Sequence, residues 1–392
     1  LTIHCPKLVS VKDFGARGDD LGDDGRAIQQ AIESLPSGGG IVHAPAGTYY
    51  LGTASGNLLN YPNGQPIACA LNLAKTNVTF RGDGSGTILK LKPQAKMRVL
   101  CVSGRNVTVE KIVVDGNGIE RLTRDAAGKY HSWPDGNVVD GLVSLATSQF
   151  ATVRDCEVRN GIEDGIGTWQ SSDTSIQNCY IHHNGGGAHD PSAGFEVGAN
   201  GISFSIGDRK SAVGNRIESN TFGISLAFGT TQATIVNNTI RNNYGFGIRI
   251  GGSRKEQGTK LNSGFTIRSN RIEENSRGGF SGIYLFGAQN GTIDNNTIVN
   301  NYSRGISIND EADLAAPNSK DWGITNNICS NTTPARLQDA GIWIQGRAEN
   351  ITLSRNTCEH NGVGIDQQIV IRAPSAVNSD WRDVNTVSYS PP

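Results

Sequence analysis

One short phrase, written nine times between Gly141 and Asp366, constrains this chain more than any other feature. A glycine is followed by an aliphatic residue and then by strand-forming residues. The phrase starts at Gly141-Leu142, Gly165-Ile166, Gly201-Ile202, Gly223-Ile224, Gly247-Ile248, Gly282-Ile283, Gly305-Ile306, Gly341-Ile342 and Gly364-Ile365. Uninterrupted spacings are 22 to 24 residues, and the three longer gaps, near 35, equal one repeat plus an inserted loop. Self-similarity at such a period is the mark of stacked repeat units. A second phrase falls between the first, as in Ile235-Val236-Asn237-Asn238-Thr239-Ile240 and Ile293-Asp294-Asn295-Asn296-Thr297-Ile298. Three residues after its closing aliphatic stands an asparagine: Asn184, Asn220, Asn243, Asn275, Asn301 and Asn361.

Strands of four to six residues broken by Gly and Asn cannot build long helices. A leucine-rich repeat shares the period but needs a leucine consensus that is absent. The pattern predicts an all-β chain, a single-stranded right-handed parallel β-helix of about ten coils, with the asparagines stacked in one turn. The expected organisation is one domain over 1–392. Residues 1–50 form its cap region, 51–372 its coils and 373–392 its tail. The inward column should run through Ile166, Ile202, Ile224, Ile248, Ile283, Ile306 and Ile342. Asp24 is placed to cap a short helix over 24–34 whose apolar face is Ala27, Ile28, Ala31 and Ile32. Such a helix would cover the open edge of the first coil.

Composition fits this architecture. Fifty glycines in 392 residues supply the turns. Thirty-five basic and thirty-six acidic residues leave a net charge of −1, unlike the basic footprint of a nucleic-acid binder. No apolar run approaches the ~18 residues of a membrane span. The chain opens at Leu1 and its only methionine is Met97, which suits removal of a leader and a secreted product. Cys156 and Cys179 share one column of successive coils, and Cys329 and Cys358 share another. At ~4.8 Å between coils, either pair is within disulfide reach. Cys329 and Cys358 also stand at the core position held by Ile240, where a free thiol serves as a small apolar side chain. No CxxC spacing suggests zinc, and no cofactor is expected.

The N-terminal block reads Val11-Lys12-Asp13-Phe14-Gly15-Ala16, then Asp23-Asp24 and the amphipathic run. It continues through Gly38-Gly39-Gly40 to Pro45-Ala46-Gly47-Thr48-Tyr49. It resembles the N-terminus of the pectate-lyase-like superfamily of β-helix proteins, which implies action on carbohydrate. In texture the coils are similar to mannuronan epimerase catalytic modules. Those modules carry Asp-Pro-His on a strand, preceded by a tyrosine. Here Asp164 stands at the tyrosine position, Gly167 at the aspartate and Trp169 at the histidine. Ser205 stands where a second aspartate would follow, so every catalytic position departs from that pattern.

Strand alternation gives the outward face. One outward column runs Gly167, Ser203, Ser225, Arg249, Tyr284, Ser307, Trp343, Asp366. The other runs Trp169, Ser205, Ala227, Gly251, Phe286, Asn309, Gln345. Sugar rings stack on aromatics and need fixed polar partners. Trp169 with Gln170, Arg249, Tyr284, Phe286, Trp343 and Gln345 are therefore the expected binding strip for a poly- or oligosaccharide. Inserted loops at 116–139, 184–199, 252–264 and 310–322 add candidate chemistry. Asp310, Glu311 and Asp313 read as turn residues or calcium ligands.

Three functions compete, and glycoside hydrolysis is favoured, because carboxylates gather beside Trp169 while the epimerase and lyase tyrosine and histidine positions are vacant. Glycoside hydrolysis needs two carboxylates ~5 Å or ~6.5–9.5 Å apart. Asp164 and Glu196 are the expected acid and base or nucleophile, and Asp190 and Asp208 the residues that hold a water or orient the acid. A carboxylate beside Trp169 loses water and becomes a usable acid. Elimination or epimerisation at a uronate instead needs a cation such as Arg249 and a base drawn from Tyr284, His182 or His189. A non-catalytic adhesin would use the same strip and yield no product.

Overall fold

The computed structural model describes residues 6–55, 58–60, 66–93, 95, 97–118, 123–124, 130–131, 141–185, 199–251, 261–277, 279–309, 318–333, 338–362, 364–372 and 377–388. The chain divides into two compact units, Leu1–Ile202 and Ser203–Pro392. Both are parallel β-helical, as the glycine period predicts.

In the first unit, α-helix Gly25–Glu33 buries Ile28, Ala31 and Ile32. Gln29 fixes it to the coil below: its amide donates to the Asn72 carbonyl at 3.3 Å and accepts from Asn72 N at 2.9 Å. Asp24 is the N-cap residue, but its side chain makes no cap bond. Its carboxylate instead accepts from Arg17 N (2.6 Å) and Gly18 N (3.0 Å), so it fastens the preceding turn. Strands Gly40–Ala44, Val78–Gly82, Thr108–Glu110, Thr152–Arg154 and Ser175–Gln177 pair in parallel, coil on coil. A second row runs from Gly47–Leu51 through Thr87–Leu91 and Val113–Asp115 to Glu157–Arg159 and Tyr180–His182. In the third row Val143, rather than Leu142, pairs with the inward Ile166.

In the second unit the inward column is continuous. Ile224, Ile248, Ile283, Ile306, Ile342 and Ile369 are successive register partners, all buried. Burying each such side chain contributes about 1.5–3 kcal/mol. The last partner differs from expectation. Gly364-Ile365-Asp366 does not begin a coil: residues Ile365–Gln367 form a short 3-10 turn, leaving Ile365 52% exposed and handing the inward position to Ile369. The outward residue is then Val370, not Asp366.

The asparagine turn is a hydrogen-bonded ladder. Asn220 Nδ2 donates to Asn243 Oδ1 (3.1 Å), Asn243 to Asn275 (2.8 Å) and Asn275 to Asn301 (3.2 Å). Gln338 then spans a coil that has no asparagine there, accepting from Asn301 at 3.4 Å and donating to Asn361 at 2.7 Å. A second ladder, hidden in the Asn-Asn pairs of the second phrase, runs Asn215, Asn238, Asn270, Asn296, Asn327, Asn356, Asn385. The residues just before ladder positions, such as Asn237, Asn242, Asn295 and Asn300, adopt φ between 54° and 58°. Asparagine tolerates that left-handed region.

Cys156, Cys179, Cys329 and Cys358 are all free and buried, so both columns hold thiols packed as core. The disulfide among the described residues joins Cys69 to Cys101 instead. Two expected insertions are also shorter than the spacing suggested. Asn262 and Ser263 already pair with Ala288 and Gln289, and Lys320 with Gln289, so 262–264 and 320–322 belong to strands.

Candidate functional site

The outward face of the second unit carries the densest chemistry among the described residues. Ser225, Arg249, Tyr284, Ser307, Trp343 and Val370 are successive register partners, one per coil. Their inward neighbours are buried isoleucines and leucines, so alternation turns these side chains outward. Phe286 was expected to lie open, but it is 7% exposed. It lies over Gly251, where an added Cβ would stand 2.0 Å from the ring, so only glycine fits beneath it. The Arg249 guanidinium rests 5.2 Å from the Phe286 centroid. Burial lowers the Arg249 pKa, and the charge of neighbouring Tyr284 opposes that loss. The Tyr284 ring stacks on Phe246 at 4.8 Å, and Phe246 in turn meets Phe280 at 4.4 Å.

Trp343 is occupied differently again. Arg304, from the preceding coil, places its guanidinium 4.0 Å from the indole centroid, and Arg372, from the following coil, lies 4.5 Å from it. The indole Nε1 donates to Gln345 Oε1 at 2.7 Å. Arg304 has its pKa lowered by desolvation first; Asp339 opposes this, Arg372 adds to it as a like charge, and Tyr284 opposes it. Asp339 has its carboxyl raised by desolvation, against the pull of Arg304. The strip is therefore led by arginines, with its aromatic rings largely engaged in holding them.

The other expected residues lie apart from this cluster. In the first unit Asp164 is 4% exposed, and its Oδ1 accepts from Asn200 N (2.6 Å) and Asn200 Nδ2 (2.8 Å). Trp169 is half-buried at the end of its strand, followed by exposed Gln170 at φ 51°. In the second unit Asp208 meets Arg209 at 3.2 Å and accepts from Thr231 Oγ1 at 3.4 Å. Asp190, Glu196 and His189, with Asp310, Glu311 and Asp313, lie outside the described residues. His182 contacts Glu157 at 3.2 Å and His183 at 2.7 Å, and burial lowers its pKa. Among the described residues no group of three His, Cys, Asp or Glu is arranged to hold a metal ion. None of their helices is long and apolar enough to cross a membrane, which says nothing of membrane-crossing strands.

Arg304, Arg372, Phe246 and Asp339 escaped the alternation pattern. Arg304 precedes the glycine of its phrase, and Arg372 belongs to the coil whose register the Gly364-Ile365 pair misstates.

Comparison with known proteins places these observations in context. A family model described as a right-handed β-helix region matches residues 106–280 and 257–368. Mannuronan C5-epimerase AlgE1 of Azotobacter vinelandii is 30% identical over 193 residues, which cover 46% of this chain but 12% of that protein. The match therefore spans a small part of the relative's length. Among solved structures, the A-module of Azotobacter vinelandii mannuronan C-5 epimerase AlgE4 superposes with a TM-score of 0.64 at 20% identity, covering 95% of this chain and 99% of the module. The Streptococcus pneumoniae surface protein and adhesin PfbA superposes with a TM-score of 0.69 at 14% identity, covering 98% of both chains. At these identities the structural likeness is one of fold.

Proposed function

The chain belongs to the right-handed β-helix family, and from that premise we propose that it acts on an acidic polysaccharide bound along the outward strip of its second unit. The reaction is proton abstraction at C5 of a uronate, completed either by elimination, in which the C4–O bond breaks and the departing oxygen takes up a proton, or by epimerisation, in which C5 takes a proton back on its opposite face. One observation carries this: Arg249 and Tyr284 are register neighbours, hence ~4.8 Å apart along the coils, in a partly desolvated setting. Abstraction at C5 builds negative charge onto the carboxylate. A guanidinium that has already lost water stabilises that charge with little reorganisation. Tyr284, held by Phe246, acts as the phenolate beside the Arg249 cation and takes the C5 proton on its oxygen. The epimerase relative is consistent with the chemistry, although its own catalytic motif is vacant here.

Hydrolysis is less well supported. The described strip carries one nearby carboxylate, Asp339, and Asp164 already serves the Asn200 turn. The deciding experiment incubates the chain with a polymannuronate, a polygalacturonate and a neutral glucan. Unsaturated ends, or exchange of the C5 hydrogen with solvent deuterium, are expected on a uronan alone. Arg249→Ala and Tyr284→Phe should each lower the rate ~10²–10⁴-fold. Products that have gained water and depend on Asp164 or Glu196 would sink the proposal in favour of hydrolysis. Tight binding without product would leave an adhesin.

A further inference from the structure

Two guanidinium groups on one indole need an explanation that the proposed reaction does not provide. Arg304 and Arg372 approach Trp343 from the coils on either side of it. Like charges gathered there raise the energy of the empty site. Among the described residues neither forms an ion pair within 4.0 Å, and Asp339 acts on Arg304 only at longer range. On the strand that begins with Arg304, one coil before Trp343, Ser307 is fully buried in register between Tyr284 and Trp343, and its Oγ has no hydrogen-bond partner. A buried hydroxyl left unpaired is unfavourable, because it has lost water without gaining a partner. Excess positive charge at Trp343 thus lies one coil from an unused donor.

We propose that Arg304, Arg372 and Ser307 form an anion clasp that takes an oxyanion substituent of the glycan, a carboxylate or a sulfate ester, with Trp343 as the positioning residue that spaces the two guanidiniums. Trp343 lies two coils beyond Tyr284, ~10 Å at the coil spacing. The clasp therefore reads a charge on a sugar other than the one presented to Arg249 and Tyr284, so chains charged on successive residues are selected. The inference rests on the preceding reading only in taking the ligand to be a glycan bound lengthwise. Arginine suits the role because its planar fork bonds an oxyanion through two N–H groups at once.

The test is calorimetric titration of the whole chain with three trisaccharides: trigalacturonate, a sulfated neutral trisaccharide and maltotriose. The acidic pair should bind and maltotriose should bind at least tenfold more weakly. Whichever acidic ligand binds more tightly identifies the substituent. Arg372→Gln, at an exposed position, should weaken acidic binding ten- to a hundredfold, as loss of a charge-assisted bond would. Ser307→Ala should weaken it several-fold while circular dichroism stays unchanged and the unfolding midpoint holds or rises, since an unpaired buried hydroxyl is removed. Equal affinity for charged and neutral trisaccharides, or indifference to both Arg372→Gln and Ser307→Ala, overturns the clasp. That result would leave turnover at Arg249 and Tyr284 untouched. Acidic binding that needs the clasp, with no turnover of any uronan, would instead uphold the clasp and discard the reaction.

Discussion

Replacing Asn275 by alanine tests how the second unit is held together. The Asn275 Oδ1 accepts from Asn243 N at 3.1 Å and Asn243 Nδ2 at 2.8 Å. Its Nδ2 donates to the Ile240 carbonyl at 2.9 Å and to Asn301 Oδ1 at 3.2 Å. Alanine removes all four at a site with no exposure. Asn243 Nδ2 keeps the Ile217 carbonyl at 3.3 Å, and Asn301 Oδ1 keeps the Asn275 N–H at 3.1 Å. Asn243 N and the Ile240 carbonyl lose the side-chain partners that served them. At about 1–3 kcal/mol for each buried group left unpaired, the expected loss is about 2–6 kcal/mol. Each coil touches only its neighbours, so a break in mid-stack divides the cooperative unit, and unfolding should broaden as well as move. Urea denaturation followed by circular dichroism measures both midpoint and slope. Asn295→Gly is the control, because Asn295 sits at φ 54° on the surface and its side chain bonds only to Ser269 among the described residues. Glycine adopts that φ freely, so its cost should stay below about 1 kcal/mol. If Asn275→Ala also costs less than about 1 kcal/mol, the ladder is ornament and the isoleucine column alone holds the stack.

Three further outcomes are expected. Lys210 is buried, with Nζ donating to the Ser205 and Ile206 carbonyls at 3.0 and 2.8 Å, and desolvation pushes its pKa down from 10.5 to about 7. Between those values the unfolded chain binds the extra proton, so stability should rise from pH 7 towards 10.5, by at most about 5 kcal/mol. Lys210→Met should abolish that rise in urea midpoints taken at pH 7 and 9.5, and an unchanged slope would refute the assignment. Gly251→Ala drives a methyl into the Phe286 ring and should cost about 1–3 kcal/mol in thermal or urea unfolding, with weakened glycan binding through the displaced Arg249. Burial raises the Cys358 thiol well above its usual pKa, so Cys329 and Cys358 should resist maleimide in the native chain and react on unfolding; mass-mapped labelling of either in native buffer would contradict their place in the core.

The parts of the fold legible in the sequence were those written with a period. Glycine and isoleucine recur because every coil needs the same close approach and the same inward volume. The Ile224-to-Ile342 column and the Asn220-to-Asn301 ladder followed directly. Legibility ended wherever one coil solved its problem with a different residue. Gln338 bridges the missing asparagine, and the short turn Ile365–Gln367 shifts the last inward position to Ile369. Asp24 was read as a helix cap, yet the nearer donors of Arg17 and Gly18 claim its carboxylate.

The site divides along the same line. Alternation correctly turned Arg249, Tyr284 and Trp343 outward, since a strand has only two faces. It could not say what would lie across them. A ring's partners arrive from the coils before and after it, more than twenty residues away, and at positions that break the phrase. Arg304 sits ahead of its glycine, and Arg372 follows the shifted turn. Trp169, Tyr284, Phe286 and Trp343 therefore looked like one open platform for sugar faces. In the folded chain Phe286 is buried, Tyr284 leans on Phe246, and Trp343 carries two guanidiniums. On the proposed reading, that substitution of charge for open ring surface changes the ligand, from a neutral sugar stacked by its apolar face to one held by its anionic substituents.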